Sequence, residues 1–435
     1  MRLVPIAAVA ALIVAAPAHA AEPAWTGEWD VTLSFDQGRS AATMTLEADG
    51  DAVKGRTGPL DEAGFLPLTV RGKATRDGLR LEFVYRDDAV GAAVLSRRGA
   101  AMAGEGTLYG VPVRVAAARP PTRSAPRVID FTPTRFTLQY SARTEPVLRI
   151  RPGDTVRTFT LDNMGRDSAL RFRWMPGNTL TGPFWVEGAM PGDTLAVHIE
   201  KVTLNRDVAD MWGGTLNSKA VGAYEQKAEP GWGRDWVLDR QRGVARPKGP
   251  AGRVGGLELP LRPMIGSIGV APPLNQSWFA GDLGFHGGNL DYERVREGTT
   301  IYLPVWQVGA LLALGDGHAL QGDGEITGQG LETSLDVQFR VELIRGKSLG
   351  QVWMEDAEYV MVSGIDNSMD DALQMATTGL ARWLKDRYGL NDSEVATLLG
   401  AAVEYDVAEV VDARPHVVAR ISKAVLAKIA PKPEG

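Results

Sequence analysis

The sequence predicts a mainly β protein: a small N-terminal antiparallel β barrel or sandwich, followed by a larger, jelly-roll-like β-sandwich that ends in a few helices. Three observations lead to this prediction. The chain has 435 residues, which is enough for two or three domains. Its 50 glycines and 26 prolines, with few aromatic residues, are typical of turn-rich β structure. Clear helical periodicity occurs only near the C terminus.

Charge and composition exclude several classes of function. The 47 basic and 53 acidic residues give a net charge of −6. This charge argues against binding to nucleic acid or to an anionic membrane, because both need a basic surface. The absence of cysteine excludes disulfides, cysteine-ligated zinc, iron–sulfur clusters and a cysteine nucleophile. Hydrolytic chemistry would therefore use a hydroxyl, lysine, a carboxylate, histidine or a metal ion.

The first twenty residues form a predicted secretory signal peptide. Arg2 precedes an apolar run over residues 3–16, Pro17 ends that run, and Ala18-His19-Ala20 is a small-x-small cleavage site. The alternative, a membrane anchor, is disfavoured because the run is too short for a hydrocarbon core of about 30 Å. We therefore expect an exported protein, periplasmic or secreted, without a stable membrane anchor. Cleavage would remove one of five histidines and leave His198, His286, His318 and His416.

Residues 21–118 are predicted to form a small all-β accessory domain. Short alternating segments are separated by hairpin dipeptides such as Asp49-Gly50 and Arg98-Gly99, which indicates about six to eight antiparallel strands. This segment contains no histidine and no cluster of catalytic residue types. A packing role is therefore favoured, and a ligand-binding barrel is the alternative. The Pro-rich residues 119–127 form the predicted linker to the next domain.

Residues 128–435 are predicted to form the larger domain. The turn sequence Arg151-Pro152-Gly153-Asp154 recurs as Met190-Pro191-Gly192-Asp193, and an alternating segment follows each copy, as expected for a β-sandwich. Residues 205–262 have no clear period. The tryptophans of this loop either line a substrate pocket or pack the loop against the core, and the sequence leaves both interpretations open. They are Trp212, Trp232 and Trp236.

Two helices are predicted near the C terminus. Apolar residues at helical spacing predict a helix over residues 368–387. We interpret its apolar stripe as core packing, formed by Met369, Leu373, Ala376, Leu380 and Trp383. A capping box at Asn391 predicts a second helix that ends at Gly400. The tail predicts strands over residues 405–411 and 416–421.

Two glycine-rich stretches, residues 286–291 and 314–325, concentrate the polar chemistry. They hold two of the four remaining histidines and four carboxylates. Imidazole and carboxylate are ligands of hard or borderline divalent cations, and such a cation can activate a water molecule. A free carboxylate, Asp323 or Glu325, could then accept the proton of that water. In the alternative interpretation the acidic residues and glycines form tight turns, and both histidines hydrogen-bond to the backbone.

These stretches resemble the acetamidase/formamidase family, which hydrolyses short aliphatic amides to a carboxylate and ammonia. The resemblance spans most of residues 130–420 and is carried by residues 180–193, 263–272, 286–291 and 303–325. It implies a β-sandwich with a few helices, commonly assembled as a homo-oligomer. The residues before 120 have no counterpart in the family core, so they form an appended domain.

The resemblance also implies the site. His286, Asn289 and Asp291 match the family's His-Gly-Gly-Asn-x-Asp motif, and Asp162 stands where the family usually has a carboxylate. A second motif, Gly-Asp-x-His followed by Gln-Gly-Asp-Gly-Glu, matches Asp316, His318, Gln321, Asp323 and Glu325. The predicted metal ligands are therefore His286, Asp291, His318, Asp162 and Asp316. The predicted catalytic residues are Glu325, Asp323, Asn289 and Gln321.

The predicted reaction is hydrolysis of the C–N bond of a short linear amide by water activated on a divalent cation, with zinc and calcium as the leading candidates. Glu325 would act as the general base, and Asn289 or Gln321 would donate to the oxyanion. Two departures from the family leave alternatives open: Phe285 replaces an acid that often precedes the histidine, and the chain is predicted to be exported. The alternatives are a non-catalytic binding protein of the same fold and a hydrolase of a larger or cyclic amide.

Overall fold

The computed structural model describes residues 25–36, 38–59, 67–75, 78–122, 125–211, 214–222, 225–228 and 232–429. The predicted signal peptide and Trp212 lie outside the described residues. No helix in these ranges is both long and apolar enough to cross a bilayer.

An antiparallel barrel forms the N-terminal part of the described chain, and its last strand pairs with its first. Its strands are β1 (Gly27–Phe35), β2 (Gly38–Asp49), β3 (Ala52–Thr57), β4 (Thr69–Ala74), β5 (Gly78–Tyr85), β6 (Asp88–Arg98), β7 (Ala101–Leu108) and β8 (Val111–Ala118). Every neighbouring pair is antiparallel and most are joined by short turns. The predicted N-terminal β barrel is confirmed.

Side chains fill the barrel interior. Burial alternates along the strands, as in β8, where Val113, Val115 and Ala117 are buried and their neighbours are exposed. The strands contribute one apolar cluster that includes Leu46, Val70, Leu81 and Met102, with Trp25 and Trp29 at its edge. A barrel of this size has an interior just wide enough for side chains. The packing therefore favours the accessory interpretation over an internal ligand site.

The larger part of the chain is a β-sandwich with three helices. Its first strands are β9 (Val128–Asp130), β10 (Phe136–Thr137), β11 (Gln139–Ser141), β12 (Leu148–Ile150), β13 (Thr155–Phe159), β14 (Leu180–Val186), β15 (Thr194–Leu204), β16 (Val208–Asp210), β17 (Asp235–Asp239), β18 (Val244–Pro247), β19 (Leu259–Pro260), β20 (Met264–Gly269) and β21 (Ser277–Phe279). A 3-10 turn spans Gly252–Val254.

The remaining elements are β22 (Leu283–Gly284), β23 (Gly287–Asn289), β24 (Thr300–Pro304), β25 (Leu312–His318), β26 (Glu332–Thr333), β27 (Leu335–Ile344), β28 (Trp353–Glu355), β29 (Tyr359–Ile365), α1 (Met369–Tyr388), α2 (Asp392–Ala402), β30 (Glu404–Glu409), β31 (His416–Ser422) and α3 (Lys423–Leu426).

Two large sheets pack face to face. One runs in the order β30-β31-β29-β28-β24-β15-β27-β13-β9. The other runs β19-β18-β17-β16-β26-β25-β20-β23-β22, with β14 also paired to β25 and with β10 and β12 paired to β14. Val197 and Phe339 from the first sheet share one apolar core with Phe184 and Leu314 from the second. This shared core confirms the mainly β prediction for the larger part of the chain.

Arg345, which follows β27, joins the barrel to the sandwich. Its guanidinium contacts Asp30 of β1 and donates to Asp193 Oδ2 at 3.1 Å. Asp193 is fully buried, so its charge needs such a partner. A Cβ on Gly192 would lie 2.7 Å from Pro59 Cδ, which shows how closely the two parts pack beside this ion pair.

The C-terminal helices follow their sequence signals. Ser368 caps α1, and Gly389 ends it with a left-handed φ of 68°. The capping box of Asn391 with Glu394 begins α2, which continues to Ala402, two residues past the predicted end at Gly400. The buried face of α1 differs from the predicted stripe: Met369 and Leu373 are exposed, and the buried residues are Ala372, Ala376, Gly379, Leu380 and Leu384. The small side chains are buried because α1 lies very close to β29.

Gly364 of β29 makes this close approach possible. A Cβ at Gly364 would lie 1.9 Å from Ala372 O and 2.5 Å from Ala376 N. We expect Gly364→Ala to lower the free energy of unfolding by about 3 kcal/mol, because the backbone of α1 must move away. The matched control is Gly400→Ala in α2, where nothing lies within 4 Å. It should be neutral or slightly stabilising in the same urea titration, and equal losses in both variants would contradict the steric argument.

His416 should make stability depend on pH. Its ring is fully buried, and burial, only partly offset by a 2.8 Å hydrogen bond to Leu290 O, lowers its pKa to about 4. In the unfolded chain the pKa of this ring is about 6.5, so protons bind the unfolded chain more tightly than the folded one. Acid therefore favours unfolding, and the loss of stability grows as the pH falls from 6.5 towards 4. Relative to His416→Gln, the wild type should lose about 1 kcal/mol between pH 7 and pH 5.5. Parallel pH profiles of the two proteins in urea unfolding would contradict this expectation.

Candidate functional site

The site lies where the central strands of one sheet end. β20 pairs with both β23 and β25, and β25 pairs with β26 so that His318 faces Glu332. All seven residues of β25 are buried. Asp291 follows β23 and Asp316 lies within β25, and they have positive φ values of 39° and 53°. Glu325 has a φ of 46°. Non-glycine residues rarely adopt this conformation, and such residues cluster at functional sites.

Gln321 sets the orientation of the His318 ring. Its Nε2 donates to Asp291 O at 2.5 Å and to Ala408 O at 3.5 Å, so its Oε1 must be the acceptor that faces His318 Nδ1 at 2.7 Å. The Nδ1 atom therefore carries a proton. The Nε2 atom is then the ring nitrogen that is available to a cation.

His318 Nε2 faces two carboxylates. It lies 3.1 Å from Glu332 Oε1 and 3.8 Å from Asp316 Oδ1. Burial disfavours the charged ring, but the two carboxylates outweigh burial and raise the pKa of His318 well above its usual value. Burial also raises the pKa of Glu332, to about 8. This electrostatic arrangement attracts a positive charge to Nε2, either a proton or a metal ion.

The three side chains fit a cation. Their ligand atoms lie within 4.8 Å of one another. Asp316 Oδ1, His318 Nε2 and Glu332 Oε2 are buried and make no hydrogen bond within the described part of the chain. Buried polar atoms are nearly always satisfied, so an atom without a hydrogen bond on each of these three neighbouring side chains indicates a further ligand. One imidazole and two carboxylates form a donor set that zinc accepts in proteins.

Gly266 leaves room for this arrangement. A Cβ at this position would lie 2.5 Å from Asp291 Oδ1, 2.8 Å from Asp316 O and 3.1 Å from Asp316 Oδ2. Asp291 and Asp316 therefore approach each other across a residue that has no side chain. Any larger residue here would displace the carboxylates.

Asn289 holds several acidic groups in place. Its Nδ2 donates to Asp291 Oδ2 and, at 2.6 Å, to Asp412 Oδ2. Its Oδ1 accepts from the Ser267 hydroxyl and, at 3.1 Å, from Asn178. The amides of Asn289 and Gln321 are thus fully used within the protein. Both residues position the site, and neither has a donor left for a substrate oxyanion.

Asp291 and Glu325 form an acidic pair. A carboxylate oxygen of each lies within 4.8 Å of the other and of His318. Burial raises the pKa of both carboxyls well above the usual range, and for Asp291 the charge of Glu325 adds to the effect. Asp291 Oδ1 has no hydrogen-bond partner among the described residues. A carboxyl group with these properties can accept a proton near neutral pH.

His286 lies beside this cluster and belongs to none of its potential metal-binding groups. It is fully buried among aromatic rings, with ring centroids 5.0 Å from Tyr140 and 4.8 Å from Trp278. Burial, with a smaller effect from Arg414, lowers its pKa to about 3, so the ring is neutral. Phe285 packs against it where an acid was expected. Neither ring nitrogen hydrogen-bonds to a described residue.

Two other predicted residues lie apart. Asp162 is buried, and its Oδ2 accepts from Arg166 and Arg206, each at 2.8 Å. Its Oδ1 accepts backbone hydrogen bonds, so it has no free oxygen for a metal ion. Asp323 is exposed and is in none of the potential metal groups. The structure thus brings together Asn289, Asp291, Asp316, His318, Gln321 and Glu325.

Sequence reasoning missed four residues of this region: Tyr140, Glu332, Glu409 and Asp412. The Tyr140 hydroxyl is fully buried and has no hydrogen-bond partner within the described chain. Burial raises its pKa well above the usual value, and the charge of Asp316 adds to this effect. Glu332 follows a Gly-Gln-Gly sequence, and Glu409 and Asp412 lie in the C-terminal tail, for which only strands were predicted. No local motif marked these three residues.

A small cavity of about 200 Å³ reaches Gln321 and Glu325. Its walls are mostly apolar and include Met211, Trp236 and Leu320. Trp236 lies on β17 rather than in the predicted loop, and it is largely buried, so it both packs into the core and lines the cavity. For Trp236, both interpretations offered by the sequence, lining a pocket and packing against the core, therefore apply.

Comparison with known proteins identifies the family. The model of the acetamidase/formamidase family matches residues 139–280 and 284–425. The chain belongs to the acetamidase/formamidase family. The match begins after the barrel and includes every residue of the cluster. Family membership supports hydrolysis of linear amides as the reaction class.

Individual members of the acetamidase/formamidase family agree with this assignment. The formamidase of Methylophilus methylotrophus is 25% identical over 342 residues, which cover 61% of this chain and 83% of the relative. The crystal structure of a predicted acetamidase/formamidase from Thermoanaerobacter tengcongensis is similar with a TM-score of 0.60 and 28% identity, over 70% of this chain and 99% of that one. An acetamidase structure from Bacillus halodurans gives a TM-score of 0.59 and 28% identity, over 69% and 100%.

Gly266→Ala tests whether the cluster holds a cation. We expect the variant to bind zinc at least about tenfold more weakly than the wild type, because the new methyl group displaces Asp291 and Asp316. Gly322→Ala is the matched control, since nothing lies within 4 Å of that position beside Gln321. Calorimetric zinc titration of folded protein, with circular dichroism as the folding check, measures both. Equal affinities in the two variants would contradict the proposed crowding.

Proposed function

We propose that this protein hydrolyses the C–N bond of short linear amides to a carboxylate and ammonia, using a divalent cation held by Asp316, His318 and Glu332. The observation that carries the proposal is the set of three buried ligand atoms without partners in a chain of an amide-hydrolysing family. When bound, the cation would polarise the amide carbonyl and lower the pKa of a water molecule towards neutrality.

Asp291 is the proton acceptor in this proposal. Its Oδ1 is free and lies 3.8 Å from His318 Nδ1, within the same cluster. Asp291 takes the proton of the attacking water and then passes it to the amide nitrogen, so that ammonia leaves and the new C–O bond replaces the C–N bond. The sequence assigned this role to Glu325. We assign Glu325 the supporting role, because its carboxylate lies beside Asp291 and His318, whereas Asp291 Oδ1 is the buried oxygen left free for the water proton.

Tyr140 is the proposed donor to the developing oxyanion. Its hydroxyl is buried beside Ser267 and completes no hydrogen bond of normal geometry with a described residue. It stays protonated because burial raises its pKa, and the nearby charges of Asp316 and Asp291 add to this effect. It replaces Asn289 and Gln321, whose amides are engaged with other groups. One such donor typically lowers the barrier by about 3 kcal/mol. Tyr140→Phe should therefore reduce kcat about 100-fold and leave the cation content unchanged.

The cavity next to the cluster supports a short substrate. Its volume of about 200 Å³ and its walls of Met211, Trp236 and Leu320 suit a small amide with a short apolar group. A larger or cyclic amide would need β17, the strand that carries Trp236, to move. The substrate panel for activity should therefore run from formamide and acetamide to larger and cyclic amides.

Asp291→Asn is the main test of the mechanism. We expect kcat/KM for ammonia release to fall at least about 1000-fold, because the asparagine side chain cannot accept the proton of the attacking water. The zinc content should stay at the wild-type level. Chelation should abolish the activity of the wild type, and added metal should restore it. The matched control is Asp323→Asn, an exposed carboxylate outside the cluster, which should keep full activity.

Three outcomes would count against the proposal. Activity that survives both chelation and Asp291→Asn would exclude the mechanism. Metal binding without ammonia release on any amide would favour the non-catalytic binding protein. Release from cyclic amides alone would keep the reaction class and change the substrate.

A further inference from the structure

Three carboxylates form a second acidic site. It lies next to the His318 group, which consists of Asp316, His318 and Glu332. Glu325, Glu409 and Asp412 each bring one carboxylate oxygen within 4.8 Å of the others. Glu325 is 6% exposed, Glu409 is fully buried and Asp412 is partly buried. The proposed mechanism uses neither Glu409 nor Asp412. Such a concentration of buried charge needs a physical explanation.

Backbone hydrogen bonds hold these residues together. Gly324 N donates to Val407 O at 2.9 Å, and Val410 N donates to Gly324 O at 3.1 Å. This contact joins the turn that carries Glu325 to the end of β30, where Glu409 lies. Asn289 then fixes Asp412 through its 2.6 Å hydrogen bond. The grouping is thus built by main-chain and side-chain contacts from three separate segments.

Glu409 has an oxygen with no partner. Its Oε2 accepts hydrogen bonds from the backbone N–H groups of Val411 and Asp412, each at 2.9 Å. Its Oε1 is buried and makes no hydrogen bond to any described residue. One oxygen of this buried carboxylate is thus satisfied by the backbone, and the other is free among acidic groups. The free oxygen, Oε1, indicates a ligand that binds there.

The charge balance also indicates a second cation. Three overlapping groups of potential ligands together contain six carboxylates: Asp291, Asp316, Glu325, Glu332, Glu409 and Asp412. Within the described residues, the only ion pairs that their carboxylate oxygens form are with His318. Lys219 donates to the backbone oxygen of Asp412. Burial raises the pKa of Glu409 and Asp412, and the charge of Lys219, which lowers both, does not outweigh this effect. One divalent cation at the His318 site leaves most of this negative charge without compensation.

We propose that Glu325, Glu409 and Asp412 bind a second divalent cation, of the hard, oxygen-seeking class that includes calcium, magnesium and manganese. The inference rests on the proposed function only in taking the His318 group as the first cation site. All three ligands are carboxylates, which such cations prefer, and Asp412 on the partly exposed side leaves room for water ligands. The first site contains an imidazole and suits zinc, so the two sites differ in metal preference.

Calorimetric titration on the full mature chain tests the second site. The protein is stripped with a chelator and loaded with one equivalent of zinc, and calcium is then titrated into it. We expect the wild type to bind one calcium ion per chain in addition to zinc. Glu409→Gln and Asp412→Asn should weaken calcium binding at least about 100-fold and retain the zinc equivalent, because each removes one charged ligand. The glutamine amide oxygen can still accept from the backbone N–H groups of Val411 and Asp412, and the asparagine amide oxygen can still accept from Asn289.

Controls separate this proposal from the proposed function. Asp323→Asn, an exposed carboxylate two residues before Glu325, should bind both ions as the wild type does. His318→Gln should lose zinc and still bind calcium, which would separate failure of the first site from failure of the second. A total of one ion per chain, or calcium binding unaffected by Glu409→Gln, would overturn the proposal. In that case the acidic group holds protons, as the raised pKa of Glu409, about 8 through burial and the charge of Asp412, would allow.

Discussion

The buried negative charge around His318 is the constraint on which the rest of the site depends. Six carboxylates lie close to one imidazole in a region that water hardly reaches. Isolated charges in such surroundings are strongly unfavourable, so the folded chain must hold protons or cations there. His318 alone cannot balance the cluster. The same imbalance that costs stability without a cation would give the site affinity for metal ions.

The surrounding structure keeps these groups close together in spite of their repulsion. The central strands β20, β23 and β25 form a rigid sheet, and the site lies at their ends. Asn289 and Gln321 use their whole amide groups to orient neighbouring ligands. Gly266 has no side chain that would separate Asp291 from Asp316. Left-handed backbone at several acidic residues is the local strain that this arrangement requires.

None of the described barrel residues belongs to the cluster of potential metal ligands around His318. The barrel interior is a separate apolar core, and the family match begins after its last strand. The contact through Arg345 ties it to the sandwich, with the buried Asp193 as one partner. Any binding function of the barrel must therefore use its outer surface or its loops. The signal peptide and the export that follows from it stay predictions.

The sequence by itself determined the features that depend on neighbouring residues. Alternation and turn dipeptides predicted the barrel, apolar residues at helical spacing predicted α1, and a capping box predicted α2. The two glycine-rich motifs predicted Asp291, Asp316 and His318 as a group. Only the tertiary structure decided the rest of the site. Glu332 comes from another strand and Glu409 from the tail, while His286 is turned into an aromatic pocket. A local pattern carries no information about such contacts, because sheet pairing brings together residues that are far apart in the chain.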